Sequence, residues 1–459
     1  MEGGLSMAIW NTINYTDIRP DRFDAEYHSK PHINNIQLLK ATGNVVPLGS
    51  LFTYINRGGQ PLYDKDGTIR VLRSVNVGRM TFNNIRQEYV TTDFFNKSSR
   101  GKVMQNDVVI TSTGVGTLGR TSIWYESYSA YCDGHITILR GTEKNPFFLT
   151  AFLNSKYGLL QFDQNLRGSS GQIEIYPFDL EKILIPEFLF AYQEEIGAYL
   201  TKAFDLEEQS QSLYRQAEEL LAKELKLNEI TLSPKKWYTA DYSEIITDGR
   251  FDSEYFSPAI KHILAQSFLK DNHTIGELFQ IIRGGTPKSY QKDGIPVIKT
   301  RNVRVPDIDK KRIEDYACSQ DVSVLTKEND LVIASMGVGS LGRISYITQE
   351  SKDYTIDGTL RIFRKKDDSQ DNIEIPTLLF LSTEIGQKLI YRGVVGSTGI
   401  ISITDDYLVK LPIPMLDQSL RKQLTDLVLK SIQAKNDSAN LLAKAKNRVE
   451  ELIEQKAGK

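Results

Sequence analysis

Long apolar runs are missing from this chain. None of its 459 residues belongs to a stretch approaching the roughly 18 apolar residues of a membrane span. Its first residues also lack the charged-then-apolar order of a secretory signal. Membrane residence and export are not expected, and a cytoplasmic setting is. Cysteine is nearly absent: Cys132 and Cys318 are too few for a disulfide framework or a thiolate metal site. The histidines His28, His32, His135, His262 and His273 show no metal-ligand spacing with Cys or acids. No phosphate-cradling G-x-x-x-x-G-K-[ST] occurs, and no Ser or Cys stands in a recognisable nucleophile context. The absences point away from an enzyme with a metal or cofactor of its own.

A strong net charge is missing too. The 56 Lys and Arg against 58 Asp and Glu leave -2, which argues at first against a polyanionic partner. The distribution matters more than the sum. From Pro47 to Pro186 there are 15 basic against 12 acidic residues, and from Glu187 to Glu229 there are 4 against 10. From Thr274 to Pro414 the two are equal at 19, and from Met415 to Lys459 there are 9 against 6. A globally neutral chain can therefore still present basic faces.

What the chain has in quantity is repetition. Arg22-Phe23-Asp24 with Glu26-Tyr27 returns as Arg250-Phe251-Asp252 with Glu254-Tyr255. Arg57-Gly58-Gly59 returns as Arg283-Gly284-Gly285, and Asn76-Val77 as Asn302-Val303. The run from Asp107 to Arg120 has its counterpart from Asp330 to Arg343, and Asp133-Gly134 has its own in Asp357-Gly358. Leu184-Ile185-Pro186 is loosely repeated as Pro412-Ile413-Pro414. The offset stays between 223 and 228 residues, so each copy is a whole domain with a linker, far longer than a solenoid repeat. The total length also exceeds what one core usually supports. Between the matched islands the copies differ, as one scaffold carrying two different surfaces would.

Two segments read as long helices. Ala198 to Ser233 lacks Gly and Pro and stops at Pro234; Met415 to Ala457 lacks both breakers as well. In the second, Leu420, Leu424, Leu427, Ser431, Ala434, Ser438, Leu441, Ala445 and Leu452 keep a 4-and-3 spacing, a coiled-coil seam. In the first, Ile196, Leu200, Ala203, Leu213, Ala217, Leu220 and Leu221 form a rougher stripe. About 30 helical residues span roughly 45 Å. One helix is acidic and the other basic, which favours their pairing; the alternative is that each packs on its own domain. The rest is mixed and strand-rich, so the expected class is α+β: a globular part (1–186), a long helix (187–233), a second globular part (234–414) and a second long helix (415–459). Antiparallel helices would place the globules at opposite ends, about a rough twofold axis.

Three motifs read as structure. Gly114-Val115-Gly116 with Gly119, and Gly337-Val338-Gly339 with Gly342, fit G-x-G-x-x-G, but a dinucleotide fold needs a helix next. The residues after Arg120 and Arg343 alternate like strands, so a turn between strands is expected. Asn145-Pro146-Phe147-Phe148 is similar to an amino-methyltransferase signature but lacks its second proline; it reads as a turn entering a helix. Asp307 and Asp309 read as a solvated turn rather than a nuclease cluster.

There remain basic and amide residues in loops, placed alike in both copies. The first offers Arg57, Gln60, Arg70, Arg73, Ser74, Asn76 and Arg79, then Arg120, Arg167, Ser169, Ser170 and Gln172. The second offers Arg283, Lys288, Lys292, Lys299, Arg301, Asn302 and Arg304, then Arg343, Arg392, Ser397 and Thr398. Arg and Lys can reach guanine O6 and N7, Asn and Gln can reach adenine, and Ser or Thr suit phosphates or either base. These are the candidate DNA contacts.

In this order, and twice over with a long helix each time, these elements resemble the specificity subunit of a type I restriction-modification system. The run from Ile282 to Lys288, the segment Gly294 to Val303, Asp330 to Arg343 and Pro412-Ile413-Pro414 carry most of the likeness, which covers nearly the whole chain. The first copy departs where Gln60-Pro61-Leu62 stands for Thr286-Pro287-Lys288. The resemblance implies two target-recognition domains, each reading half of a bipartite, asymmetric site on double-stranded DNA. The helices would set the unread spacer and dock two modification subunits. Those subunits would carry S-adenosylmethionine and methylate adenine at N6; motor-nuclease restriction subunits would use ATP and Mg²⁺. This chain would bind none of these cofactors and catalyse nothing. Two alternatives stay open: a reader in a related methyltransferase-nuclease system, and a scaffold that binds proteins but no DNA.

Overall fold

The computed structural model describes residues 12–458 apart from 14, 16–17, 20, 169–172, 233–236, 271–272, 367–370, 397–398 and 400. Two compact units divide the chain, residues 1–207 with 436–459, and residues 208–435. The fold is mixed α and β, as the patterning requires. The boundaries expected at 186, 233 and 414 would set the long helices apart from the globular parts. In the structure each helix is shared between the units, because its apolar residues complete the cores.

In the first unit, alternation of β-branched residues builds a sheet covered on both faces. Its strands run in the order Tyr54–Arg57, Ile136–Arg140, Val108–Thr111, Thr121–Ile123, all antiparallel. Side chains alternate across a strand, so Val108 and Ile110 enter one core with Phe148, Phe152 and Leu139. Val109 enters another with Trp124, Leu72 and Ile138. The first core is closed by helices Pro146–Asn154 and Lys156–Gln164 and by the start of the long helix Gln193–Glu224. Asn145 opens the first of these as an N-cap, its side-chain oxygen accepting from the amides of Phe147 (3.0 Å) and Phe148 (3.2 Å). The Asn-Pro motif is thus the helix entry expected of it. A second sheet orders Glu88–Val90, Ile69–Leu72, Ala130–Cys132, Lys102–Val103, with a parallel pair at its centre.

The second unit follows the same plan. Its main sheet orders Phe279–Arg283, Leu360–Lys365, Leu331–Ala334, Ile344–Tyr346. Leu331 and Ile333 face one core while Val332 and Ala334 face the other. Helices Glu374–Ser382 and Glu384–Arg392 take the places of the earlier helix pair. A second four-stranded sheet again holds one parallel pair, Ile295–Ile298 against Thr355–Ile356.

The long helices span Gln193–Glu224 and Gln418–Lys456. The first ends nine residues before the expected Ser233, where Lys226 turns left-handed at φ 51° and a short 3₁₀ turn follows. Residues 233–236, with Pro234, lie outside the described residues. Within the first unit Glu195 pairs with Arg448 (2.9 Å), and Ile196, Leu200 and Ala203 share a core with Leu442, Ala445, Val449 and Leu452. Within the second, the Ser210 and Ser431 hydroxyls lie 3.1 Å apart, and Ala217 and Leu221 share a core with Leu424, Val428 and Ile432. The predicted seam is buried except at Leu427 and Leu441, where the neighbouring Val428 and Leu442 lie deeper.

The twice-used Arg-Phe-Asp motif is a latch. Arg22 is buried, pairs with Asp24 (2.7 Å) and donates to the carbonyls of Gln164 (3.1 Å) and Leu166 (2.9 Å). Arg250 repeats this with Asp252 (2.6 Å) and the Val394 carbonyl (2.9 Å). The expected solvated turn at Asp307 is corrected: its carboxylate is buried and held by Lys435 of the second long helix at 2.6 Å. A buried carboxylate needs such a partner.

Candidate nucleic-acid interface

Loops from well-separated stretches meet at one end of each main sheet, because antiparallel strands turn there. In the first unit Arg57 ends its strand opposite Thr137, and Thr111 ends opposite Ile136. Gly58 lies against the Asp133 loop so closely that a Cβ there would stand 2.2 Å from the Asp133 carbonyl oxygen. The Ser112 amide donates to the His135 carbonyl (2.8 Å), and the Gly114 amide to Ile173 (3.2 Å). The Asp133 amide donates to Leu72 (3.1 Å), which brings the loop from Arg73 to Arg86 to the same end. The second unit repeats the meeting. A Cβ at Gly284 would stand 2.2 Å from the Asp357 carbonyl oxygen. Amides of Ser335, Gly337 and Asp357 donate to Thr359 (2.9 Å), Ile401 (3.0 Å) and Ile298 (2.9 Å).

The glycine-rich runs are strand-to-strand turns, as the alternation after them predicts. Gly114, Gly116 and Gly119 stand at φ of 103°, 78° and 76°, and Gly337, Gly339 and Gly342 at 102°, 74° and 83°. Only glycine holds this backbone without strain. The turns project a valine outward in each unit, Val115 at 69% exposure and Val338 at 68%. Arg120 folds over its turn to donate to the Gly116 carbonyl (2.7 Å), and Arg343 does the same to Gly339.

A second arginine joins each turn. The Met80 amide donates to the Thr121 carbonyl (2.8 Å), which seats Arg79 beside Arg120. Surrounding protein and then the Arg120 charge hold the Arg79 guanidinium below its ordinary pKa, with Asp163 acting the other way. Arg304 is tied to the neighbouring strand through Ser345, its amide donating to that hydroxyl at 2.7 Å. Desolvation and then Arg343 and Arg312 lower it likewise, against Asp309.

Other candidates serve the scaffold. Asn76 and Asn302 are buried, each accepting from the amide three residues before it, Arg73 (3.0 Å) and Lys299 (2.9 Å). Arg73 donates to the Arg86 carbonyl and lies 3.8 Å from Glu88, and Arg70 donates to the Asn83 carbonyl (2.8 Å). Arg167 is held by Asp179 (2.7 Å) and Arg301 by Asp315 and Glu314 (3.3 Å). Lys299 reaches Asp315 at 3.2 Å, and Arg392 donates to the Tyr255 carbonyl (3.2 Å). Arg57 reaches Glu174 and the Ile175 carbonyl, both at 3.1 Å. Gln60, Arg79, Arg283 and Lys288 are exposed. Ser169, Ser397 and Thr398 lie outside the described residues, as do Ser170 and Gln172.

Sequence reasoning missed Val115, Val338 and Leu62, since an apolar residue carries no sign of exposure in the sequence; Leu62 is 68% exposed. It also missed Arg361, buried at the same sheet end and paired with Asp405 at 2.5 Å. The matched glycine positions were the available signal for the valines. Burial pushes the Cys132 thiol well up, so it is no ready nucleophile. Among the described residues no cluster of three His, Cys, Asp or Glu side chains could hold a metal, and no helix is long and apolar enough to cross a membrane.

No protein-family model matches the chain, and no curated protein does. Among solved structures it is similar to the S subunit of a type I restriction-modification system from M. genitalium, with 14% identity and a TM-score of 0.47, over 90% of this chain and 95% of that one. It is similar to a chain from a study of complex assembly and conformational transition of the type I R-M system, with 15% identity, TM-score 0.30 and coverages of 90% and 97%. It is also similar to the HsdS subunit from Thermoanaerobacter tengcongensis, with 15% identity, TM-score 0.27 and coverages of 90% and 96%.

Proposed function

We propose that this chain is the DNA-reading subunit of a type I restriction-modification assembly in the cytoplasm. Each unit is a recognition domain, duplicated from one ancestor, and reads one half of a bipartite, asymmetric duplex site. The long helices pair antiparallel, set the unread gap and dock two methyltransferase subunits. S-adenosylmethionine, ATP and Mg²⁺ belong to the methyltransferase and restriction subunits, and this chain performs no chemistry itself.

The observation that carries the reading is convergence. Gln60, Arg79 and Arg120 come from stretches up to 60 residues apart and gather at one sheet end; Arg283, Lys288, Arg304 and Arg343 do so in the other unit. Cations, amides and close-approaching glycines on loops suit a phosphate backbone and the base edges beside it. Two unlike readers in one chain give an asymmetric site, whereas a homodimer would demand a palindrome. Pairing of the helices in opposite directions is supported by the contacts Glu195 with Arg448 and Ser210 with Ser431.

Band-shift titration of the full chain against a random duplex across a salt series tests the reading. A DNA reader loses affinity steeply and log-linearly with salt. An absence of binding at low salt would favour the protein scaffold instead.

A further inference from the structure

We propose that the two glycine turns with their arginine pairs, Arg79 with Arg120 and Arg304 with Arg343, are a matched pair of phosphate clamps that grip DNA without reading it. The inference rests on the DNA-reading proposal and divides labour within that site. Its basis is a contrast between what the units share and what they do not. Each turn lifts an exposed valine between two left-handed glycines, and each carries an arginine folded back onto the turn's own carbonyl. The second arginine arrives by different routes. Arg79 lies three residues after Asn76 and Arg304 two after Asn302, yet both are tied to the strand that leaves the turn, Arg79 through the Met80 amide on the Thr121 carbonyl (2.8 Å) and Arg304 through its own amide on the Ser345 hydroxyl (2.7 Å).

Two like charges held close repel each other, and the loops would spread them apart if nothing were gained. A shared anion turns that repulsion into attraction. A device common to both units is a poor means of distinguishing two different half-sites. It can hold what every duplex presents alike, the phosphate backbone.

The neighbouring loop shows the opposite pattern. After Arg57-Gly58-Gly59 and Arg283-Gly284-Gly285 comes a buried proline in each unit, Pro61 and Pro287, flanked by exposed residues that differ: Gln60 and Leu62 against Thr286 and Lys288. The buried proline fixes the loop while its neighbours vary. Choice of sequence therefore belongs to these flanking positions, and grip to the turns.

The test uses the full chain, a random-sequence duplex in a potassium chloride series, and selection from a randomised duplex pool. Arg79→Gln with Arg120→Gln, and separately Arg304→Gln with Arg343→Gln, should each lower the salt slope by about 2. The selected base pattern should stay as it is. The matching Arg→Lys pairs keep the charge and should restore the slope, which separates lost grip from lost folding. Gln60→Ala with Leu62→Ala should leave the slope unchanged and alter one half-site. If the unaltered chain binds no duplex, the DNA reading fails and the clamps with it. If it binds, but the Gln pairs leave the slope intact or change the preferred bases, the clamps alone are wrong.

Discussion

At Asn76 and Asn302 a buried amide closes a turn whose own backbone donor has no better acceptor. Replacing either by alanine leaves the half-buried Arg73 or Lys299 N–H without its side-chain acceptor, at a cost of about 1–3 kcal/mol. A loss of unfolding free energy of that size is expected from each variant, read in urea as a lower midpoint at unchanged slope. Asp330 makes a stronger demand. Its carboxylate is 2% exposed and held by Arg364 at 2.7 Å, as Asp107 is by Arg140 at 2.6 Å in the other unit. Arg364→Met would strand that charge and should cost about 3–5 kcal/mol. Acid should loosen the latch at Arg22. The hydrogen bond from Arg22 holds Asp24 down at about 2, below its unfolded value of about 4. A depressed folded value means the stabilisation is present above about pH 4 and lost as pH falls through about 2. Protection of the Tyr27 amide, whose N–H donates to Asp24 at 3.0 Å, should fall over that interval relative to its intrinsic exchange at each pH; unchanged protection would deny the latch its charge.

Among the elements, the long helices show what spacing can and cannot convey. Leu424, Ser431, Ala434, Ser438, Ala445 and Leu452 are buried as the 4-and-3 pattern requires, because periodicity alone determines which side of a helix is apolar. The helix end at Glu224 was not legible, since Lys226 reverses its backbone without glycine or proline to mark it. The glycine turns were read correctly as strand connections from the alternation that follows them. Which loop cations face outward was beyond reach: Arg301 and Arg79 look alike in sequence, yet Asp315 and Glu314 hold the first while the second sits beside Arg120. Such pairing depends on where folding brings acids from elsewhere in the chain. Leu424→Ala should cost about 2–5 kcal/mol, while Leu429→Ala, on the exposed side, should stay within about 0.5 kcal/mol. Thermal unfolding of the two variants side by side checks the seam.

For the whole molecule, modularity has consequences that no single residue has. If each unit reads its own half-site, exchanging Thr274–Pro414 for the equivalent segment of a similar protein should change one half of the recognised sequence and leave the other. A change in both halves would contradict independent readers. Lengthening the first long helix by about one turn should widen the unread gap and keep both halves. The most direct test is a genome-wide map of N6-methyladenine in the host with and without this chain. The account predicts that one asymmetric motif disappears, made of two unlike blocks separated by a gap of fixed length. A palindrome, an uninterrupted block, or a methylation map indifferent to the chain would contradict it.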